Sequence, residues 1–134
     1  MLVFVERGRL HDLCAAMMYR KIELWGRMDA RYLVWVDDRT NKIEWICAYD
    51  LFFGRTCQIH LCRFGDKPAP RGFMITGFQI PFQVLGVETL LGMVEANNER
   101  ALSTDLRMGF THILTYPEAS KDGNDVLLLR QHKQ

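Results

Sequence analysis

Two side chains of this sequence have the chemistry needed for acid–base catalysis, and the first is His60. It alternates with Gln58 along a predicted strand, Arg55 to Arg63, so both side chains lie on one face of that strand. Glu44 and Asp50 lie on the predicted neighbouring strand. An imidazole titrates near neutral pH and can take a proton from a reacting amine. His60 is therefore a candidate general base, although a lone histidine on a strand is also typical of a hydrogen-bonded core residue.

The second side chain is Asp105. It recurs with Ala101, Leu102 and Leu106 at the spacing of one helix face, so a carboxylate lies at the edge of an apolar stripe. Such a position raises the pKa of a carboxyl group and favours its protonated form, which could act as an acid. A solvated or locally paired aspartate near a helix end is the structural alternative.

The stretch around that helix has clear start and stop signals. Val87 to Val94 is an apolar run of strand length, as expected for a strand buried on both faces. Either Asn97 or Asn98 can cap the helix that follows. Gly109 can end it with a positive φ, and Phe110 begins the next strand. A strand that leads into a capped helix is a common place for a ligand, outside the carboxyl end of the strand.

The other elements follow from apolar periodicity and turn residues. Trp25 and Gly26 break the first helix, and a short turn or a second helix leads to Ala30. Pro81 predicts a kink in its helix, or an end by Ile80. The order β-α-β-β-β-α-β-α-β-β predicts an α/β fold with a mixed sheet, in a single domain over residues 1–134. The elements are strand Met1–Val5, helix Leu10 to about Glu23, the hairpin of Tyr32–Val36 with Ile43–Tyr49, strand Arg55–Arg63, helix Arg71–Leu85 and strands Phe110–Tyr116 and Val126–Arg130.

Composition limits the classes of function. Hydrophobic residues make up 49% and charged residues 25%, which is ordinary for a globular domain. The formal net charge of +1 provides no long-range attraction to nucleic acid or to an acidic membrane, so neither is expected as a partner. No apolar run approaches the ~18 residues of a membrane span. Met1 to Val5 lacks a basic leader, and we expect a cytoplasmic protein.

The four cysteines predict buried free thiols. They form no C-x-x-C pair, and Cys57 and Cys62 would point to opposite faces of one strand. The four histidines show no ligand spacing either. No metal is expected.

The sequence also carries a resemblance. Asn-Asn-Glu-Arg-Ala-Leu at 97–102, followed by Gly109 and Phe110, resembles the last conserved block of the GNAT family of N-acetyltransferases. With Arg71-Gly72-Phe73 and residues 79–86, the chain is most similar to small phage-encoded members. The resemblance extends over roughly residues 55 to 130. It implies a GNAT-like fold, with a central mixed sheet of about six or seven strands and helices on both faces.

The resemblance also implies a cofactor site for acetyl-coenzyme A. The family holds the pyrophosphate on backbone N–H groups at a helix start, within the loop that corresponds to residues 63–72 here. Lys67 replaces the Gln or Arg of that pattern, and Gly72 fits its last position. Pro70 replaces the middle glycine and has no N–H group. Lys67 and Arg71 could compensate with charge, and Phe73 completes the predicted segment. The alternative is a helix begun by proline, with two solvated cations.

Asn97 and Asn98 are the other implied cofactor contacts, to the pantetheine arm, beside the alternative of plain helix capping. Asp105 stands where many family members have a tyrosine that protonates the departing thiolate.

The function implied is transfer of an acetyl group from acetyl-coenzyme A to an amine, on a protein or a small molecule, by direct attack on the thioester. The acceptor is unknown, and a homodimer is a further expectation. The alternative is a degenerate GNAT-fold binding module, such as a phage protein that acts on a host partner.

Overall fold

The computed structural model describes residues 1–134, and its elements follow the predicted order throughout. Residues 23–30 form a loop with a turn, so the second helix considered for this segment is absent. The helices are α1 (Arg9–Ile22), α2 (Arg71–Gln83) and α3 (Glu99–Arg107), and the strands are β1 (Leu2–Val5), β2 (Arg31–Asp37), β3 (Lys42–Phe53), β4 (Thr56–Arg63), β5 (Thr89–Glu95), β6 (Thr111–Tyr116) and β7 (Val126–His132).

All seven strands form one mixed sheet in the order β1-β2-β3-β4-β5-β7-β6. Neighbouring strands are antiparallel except β4 and β5, which are parallel and are connected through α2. A crossover helix is the usual connection between parallel neighbours. The predicted hairpin of β2 and β3 is present.

Side chains alternate across the sheet and build one core on each face. The α2/α3 face packs Cys47, Tyr49 and Leu129 of the sheet against α2 and α3. The α1 face packs Ile46 and Ala48, the neighbours of Cys47 along β3, with Cys14 and Met18 of α1. Helices therefore cover both faces, as predicted.

The expectation that the fifth strand is buried on both faces is wrong. Leu90 and Val94 of β5 lie in the α2/α3 core, whereas Met93 is 48% exposed on the α1 face. The core beneath α1 draws its strand residues from β1 to β4 alone. No helix covers β5 on that side, and an apolar residue there remains open to solvent.

Helix α2 continues through Pro81 to Gln83, rather than ending by Ile80. Proline has no N–H group, so the carbonyl of Gly77 loses the helical donor it would have had at position 81. The Tyr49 hydroxyl donates to that carbonyl instead, at 2.7 Å. A side chain of β3 thus satisfies the acceptor that the proline leaves free.

The cysteines are all free and buried, as predicted. Burial raises the pKa of the Cys47 and Cys57 thiols to about 12. None of the three helices has the length and apolar character needed to cross a lipid bilayer.

Candidate active site

The central feature of the site is an opening within the sheet, between its two parallel strands. β4 and β5 pair only over Thr56–Gln58 and Thr89–Leu91, and beyond those residues they have no ladder partners in common. Both strands then lead into helices, α2 and α3, which begin at the same end of the sheet. The opening therefore lies outside the carboxyl ends of two parallel strands, where ligands of α/β proteins commonly bind.

The backbone of β4 presents unused polar groups to this opening. The carbonyl of Arg55 accepts hydrogen bonds from the N–H groups of Glu88 and Thr89, at the start of β5. The N–H of Phe64 donates instead to the carbonyl of Glu44 on β3. Because successive residues of a strand direct their backbone groups to opposite neighbours, the odd-numbered residues of β4 face β5. The N–H of Leu61 thus faces the open part of the gap.

His60 lies on the α1 face of the sheet, two residues beyond Gln58, the last residue of β4 that pairs with β5. Its Nε2 is 2.7 Å from Oδ1 of Asp50 on β3. A carboxylate only accepts hydrogen bonds, so Nε2 carries the proton and the lone pair of the neutral ring is on Nδ1. Asp50 is 2% exposed, and this is the one hydrogen bond that its side chain makes. The pair is a histidine oriented by a buried carboxylate, which suits a general base.

Asp105 lies on the opposite face of the sheet, in α3. Its carboxylate makes no hydrogen bond or ion pair with another side chain, so the locally paired alternative is not observed. Burial raises the pKa of Asp105 to about 6. The negative charge of Asp105 also contributes to the raised pKa of Cys47 on β3, after the larger effect of burial. Both observations agree with a carboxylate that lies partly buried against the core of the α2/α3 face.

The structure does not bring His60 and Asp105 together in one cluster. They lie on opposite faces of the sheet, His60 on the α1 face and Asp105 on the α2/α3 face. The sheet therefore separates the two groups that could exchange protons.

The start of α2 has the donors that an anion requires. The backbone N–H groups of Arg71, Gly72 and Phe73 have no acceptor within the protein, whereas the N–H of Met74 bonds to Pro70 at 3.1 Å. Nothing lies within 4 Å of the position where a side chain on Gly72 would begin. The Arg71 side chain is exposed and has no acidic partner. Three free donors at the positive end of a helix remain even though Pro70 contributes none.

Phe73 and Lys67 have structural roles that the sequence did not indicate. The Phe73 side chain is 1% exposed in the core, so only its N–H group is available to a ligand. Lys67 forms an ion pair with Asp37, which is a major reason why the pKa of that carboxyl lies below its usual range. The backbone carbonyl of Lys67 accepts from Nε1 of Trp45 at 2.9 Å. The loop is thus fastened to β2 and β3.

The two asparagines have separate positions. Asn98 caps α3, because its side chain accepts from the N–H of Ala101 at 3.2 Å. The Asn97 side chain is exposed and makes no hydrogen bond, so it is free to contact a ligand. Gly109 ends α3 with φ of 101°, as predicted.

The sequence indicates His60 as a candidate base, but not that Asp50 is its partner. The two residues are ten apart in the chain and on different strands. Only the register of β3 against β4, with Asp50 opposite Gln58, shows that they meet. No group of three or more histidine, cysteine, aspartate or glutamate side chains is placed to hold a metal ion.

No protein-family model and no curated protein matches the chain. Solved structures do match. A protein assigned as a phosphinothricin N-acetyltransferase aligns with a TM-score of 0.74 and 13% identity, over 100% of this chain and 99% of its own. Spermidine N-acetyltransferase from Vibrio cholerae, in a dodecameric structure, aligns with a TM-score of 0.77 and 13% identity, over 98% and 93%.

A structure of the Vibrio cholerae spermidine/spermine enzyme in complex with manganese ions gives a TM-score of 0.69 and 16% identity, over 98% and 91%. These similarities extend over whole chains. The protein therefore shares the mixed α/β fold of GNAT N-acetyltransferases.

Proposed function

We propose that this protein is an N-acetyltransferase that transfers the acetyl group of acetyl-coenzyme A to an amine. The observation that carries the proposal is the separation of β4 from β5 after three paired residues, with His60 and its partner Asp50 beside the opening. The likeness in fold to known N-acetyltransferases supports it.

The residues at the opening fit acetyl-coenzyme A as the donor substrate. The free N–H groups of residues 71–73 and the Arg71 guanidinium would hold its phosphates, and the Asn97 amide would contact its pantetheine arm. Lys67 contributes less than expected, since Asp37 already neutralises it. When bound, the donor supplies an acetyl group on a thioester.

Four groups of the chain would then divide the chemistry. Nδ1 of His60 accepts the proton that the attacking amine loses, while Asp50 stabilises the imidazolium that forms. The N–H of Leu61 can donate to the acetyl oxygen as negative charge develops on it. Asp105 can return a proton to the sulfur from the other face. A carbon–nitrogen bond forms, the carbon–sulfur bond breaks, and coenzyme A leaves as a thiol.

Compartment and assembly are part of the proposal. Four unpaired thiols favour a reducing environment, and we keep the cytoplasm as the expected location. The chain would act as a single domain, and a homodimer and a closer relation to phage-encoded members remain predictions from sequence.

Thermal unfolding with acetyl-coenzyme A tests the binding step. A ligand at 100 times its Kd should stabilise the fold by about 2.7 kcal/mol, which is a rise of several degrees in Tm. Coenzyme A without the acetyl group should bind with similar affinity, because the phosphates supply most of the contacts. The absence of a shift at millimolar acetyl-coenzyme A would contradict the proposed function and favour a binding module instead.

Turnover is measured as amine-dependent release of the coenzyme A thiol. We expect His60→Gln to lower kcat by about 100-fold, the scale of a general base, with little change in the affinity for coenzyme A. His112→Gln is the matched control, since His112 is an exposed residue of β6 whose side chain forms a hydrogen bond only with Thr115. Equal activity of the two variants would remove His60 from the mechanism.

A further inference from the structure

Arg130 of β7 is a cation without a partner. Its Nε is one of three buried side-chain polar atoms that lack a hydrogen bond. The residue is partly buried, and no carboxylate lies within ion-pair distance of its guanidinium. Arginine remains charged at any physiological pH and binds carboxylates with two parallel hydrogen bonds. An unpaired and partly desolvated guanidinium is therefore a ready site for an anion.

The register of the sheet places Arg130 level with the last paired residues of β4 and β5, where the opening begins, with β5 in between. Leu127 and Leu129 belong to the α2/α3 core, so Arg130 points to the α1 face, as His60 does. Gln58 of β4 is opposite Leu91 of β5, which is opposite Arg130. Two strand spacings, roughly 10 Å, thus separate the backbones of Gln58 and Arg130. An extended arginine side chain can cover much of that distance, so one small molecule can contact both its guanidinium and His60.

The surface between these residues is apolar and uncovered. Leu91, Met93 and Leu128 point to the α1 face of β5 and β7, where no helix packs. Met93 is 48% exposed. An acceptor bound here would meet an apolar floor, the unpaired charge of Arg130 and the imidazole of His60. Asp50 is 2% exposed and hydrogen-bonded to His60, so its carboxylate is not open to direct contact with a polycation.

We propose that Arg130 binds a carboxylate of the acceptor, so that the acceptor is an amine that also bears a carboxylate and an apolar side chain, such as an apolar α-amino acid. The amine would point to His60 and the side chain would lie on Leu91 and Met93. This inference rests on the proposed function, because it names the acceptor of that same site.

Pairs of amines that differ only in the carboxylate test it: phenylalanine with 2-phenylethylamine, and tryptophan with tryptamine. In each pair we expect the amino acid to be acetylated with a kcat/KM at least about tenfold higher, since it retains a charge-assisted hydrogen bond. Arg130→Met should raise the KM for the amino acid by about 10- to 100-fold and leave the KM for the matching amine unchanged. Arg130→Lys should restore part of the difference because it keeps the charge.

Arg39→Met is the matched control, because Arg39 is exposed in the β2–β3 turn, away from the opening. Equal acetylation of both members of each pair, or a preference for the amines, would overturn the inference. The failure of every amino acid in the panel to be acetylated would also overturn it. So would an equal increase in the KM for the amino acid in Arg130→Met and Arg39→Met.

A second measurement does not depend on catalysis. Phenylacetate cannot be acetylated, yet it should shift the NMR signal of the Arg130 Nε–H group, with saturation, in wild-type protein. An unmoved signal would overturn the inference even if acetyl-coenzyme A binds. A moved signal in a protein that fails to bind acetyl-coenzyme A would instead count against the proposed function alone.

Discussion

Asp105 has a carboxyl group whose ionised form is disfavoured by the fold. Burial raises its pKa from 3.8 to about 6, and no cation or hydrogen-bond donor offsets that burial. Well below pH 3.8 the group is protonated in the folded and unfolded chains alike. As the pH rises through 6, the folded protein must ionise a buried group, and the stability associated with the neutral form is lost.

We therefore expect Asp105→Asn to stabilise the protein at pH 8 by about 1 to 2 kcal/mol, after allowance for partial solvent access, and to have no effect at pH 4. Chemical denaturation at both pH values measures this difference. Asp66→Asn, at an exposed loop position, is the control and should change neither value. A destabilised Asn variant at pH 8 would mean that the charge of Asp105 has a stabilising partner. Turnover should fall less than about tenfold, because a thiolate leaves readily near neutral pH.

Residue types and alternation sufficed to select His60, but not to find Asp50 or Arg130. The neighbours of these two residues are set by the pairing register of their strands. That register depends on turns and bulges, which alternation does not encode. At the end of β3 the ladder shifts between Asp50 and Phe53, and Leu51 has a positive φ of 51°. One residue more or less in that bulge would turn Asp50 to the other face.

Among the elements, α2 shows how a local rule is overridden by a distant side chain. Pro81 predicts a break, yet the helix continues because Tyr49 replaces the missing donor to Gly77. Tyr49→Phe should leave that carbonyl buried and unsatisfied and cost about 1 to 3 kcal/mol. In the double variant with Pro81→Ala, the new N–H group at position 81 can satisfy it.

The combined loss in this double variant should thus be smaller than the sum of the two single effects, by at least about 0.5 kcal/mol. Urea denaturation of the four proteins measures the coupling. Strict additivity would show that the tyrosine hydroxyl does not substitute for the donor missing at position 81. Tyr32→Phe serves as the control for loss of a buried tyrosine hydroxyl elsewhere in the sheet.

The order of elements could be predicted because each has its own period and its own turn residues. Burial could not, since it depends on which helix covers which strand. Residues 23–30 hold no second helix, and α1 alone covers the strands on its side. Met93 of β5 is therefore exposed, although the apolar sequence of this strand predicts burial on both faces.

At the scale of the whole molecule, the sheet consists of two parts joined by few hydrogen bonds. β1 to β4 form one part and β5 to β7 the other, with three paired residues on each side of the boundary. The core of the α2/α3 face bridges them. A ligand in the opening would contact both parts and restrain their relative motion.

Hydrogen exchange with and without coenzyme A measures this restraint. We expect the ligand to slow exchange at Leu61 and in residues 92–95 of β5, as well as at the start of α2. Amides at the centre of β2, such as that of Val34, should not change. Protection confined to residues 71–73 would mean that the ligand binds the helix start without entering the sheet.

The opening between β4 and β5 also has a consequence for the lifetime of the empty protein. It leaves two strand edges inside the sheet whose backbone groups have no partner, and such edges are templates for pairing with another chain. If acetyl-coenzyme A binds there as proposed, the amide groups of its pantetheine arm can pair with these edges. The bound ligand would then protect the protein against aggregation.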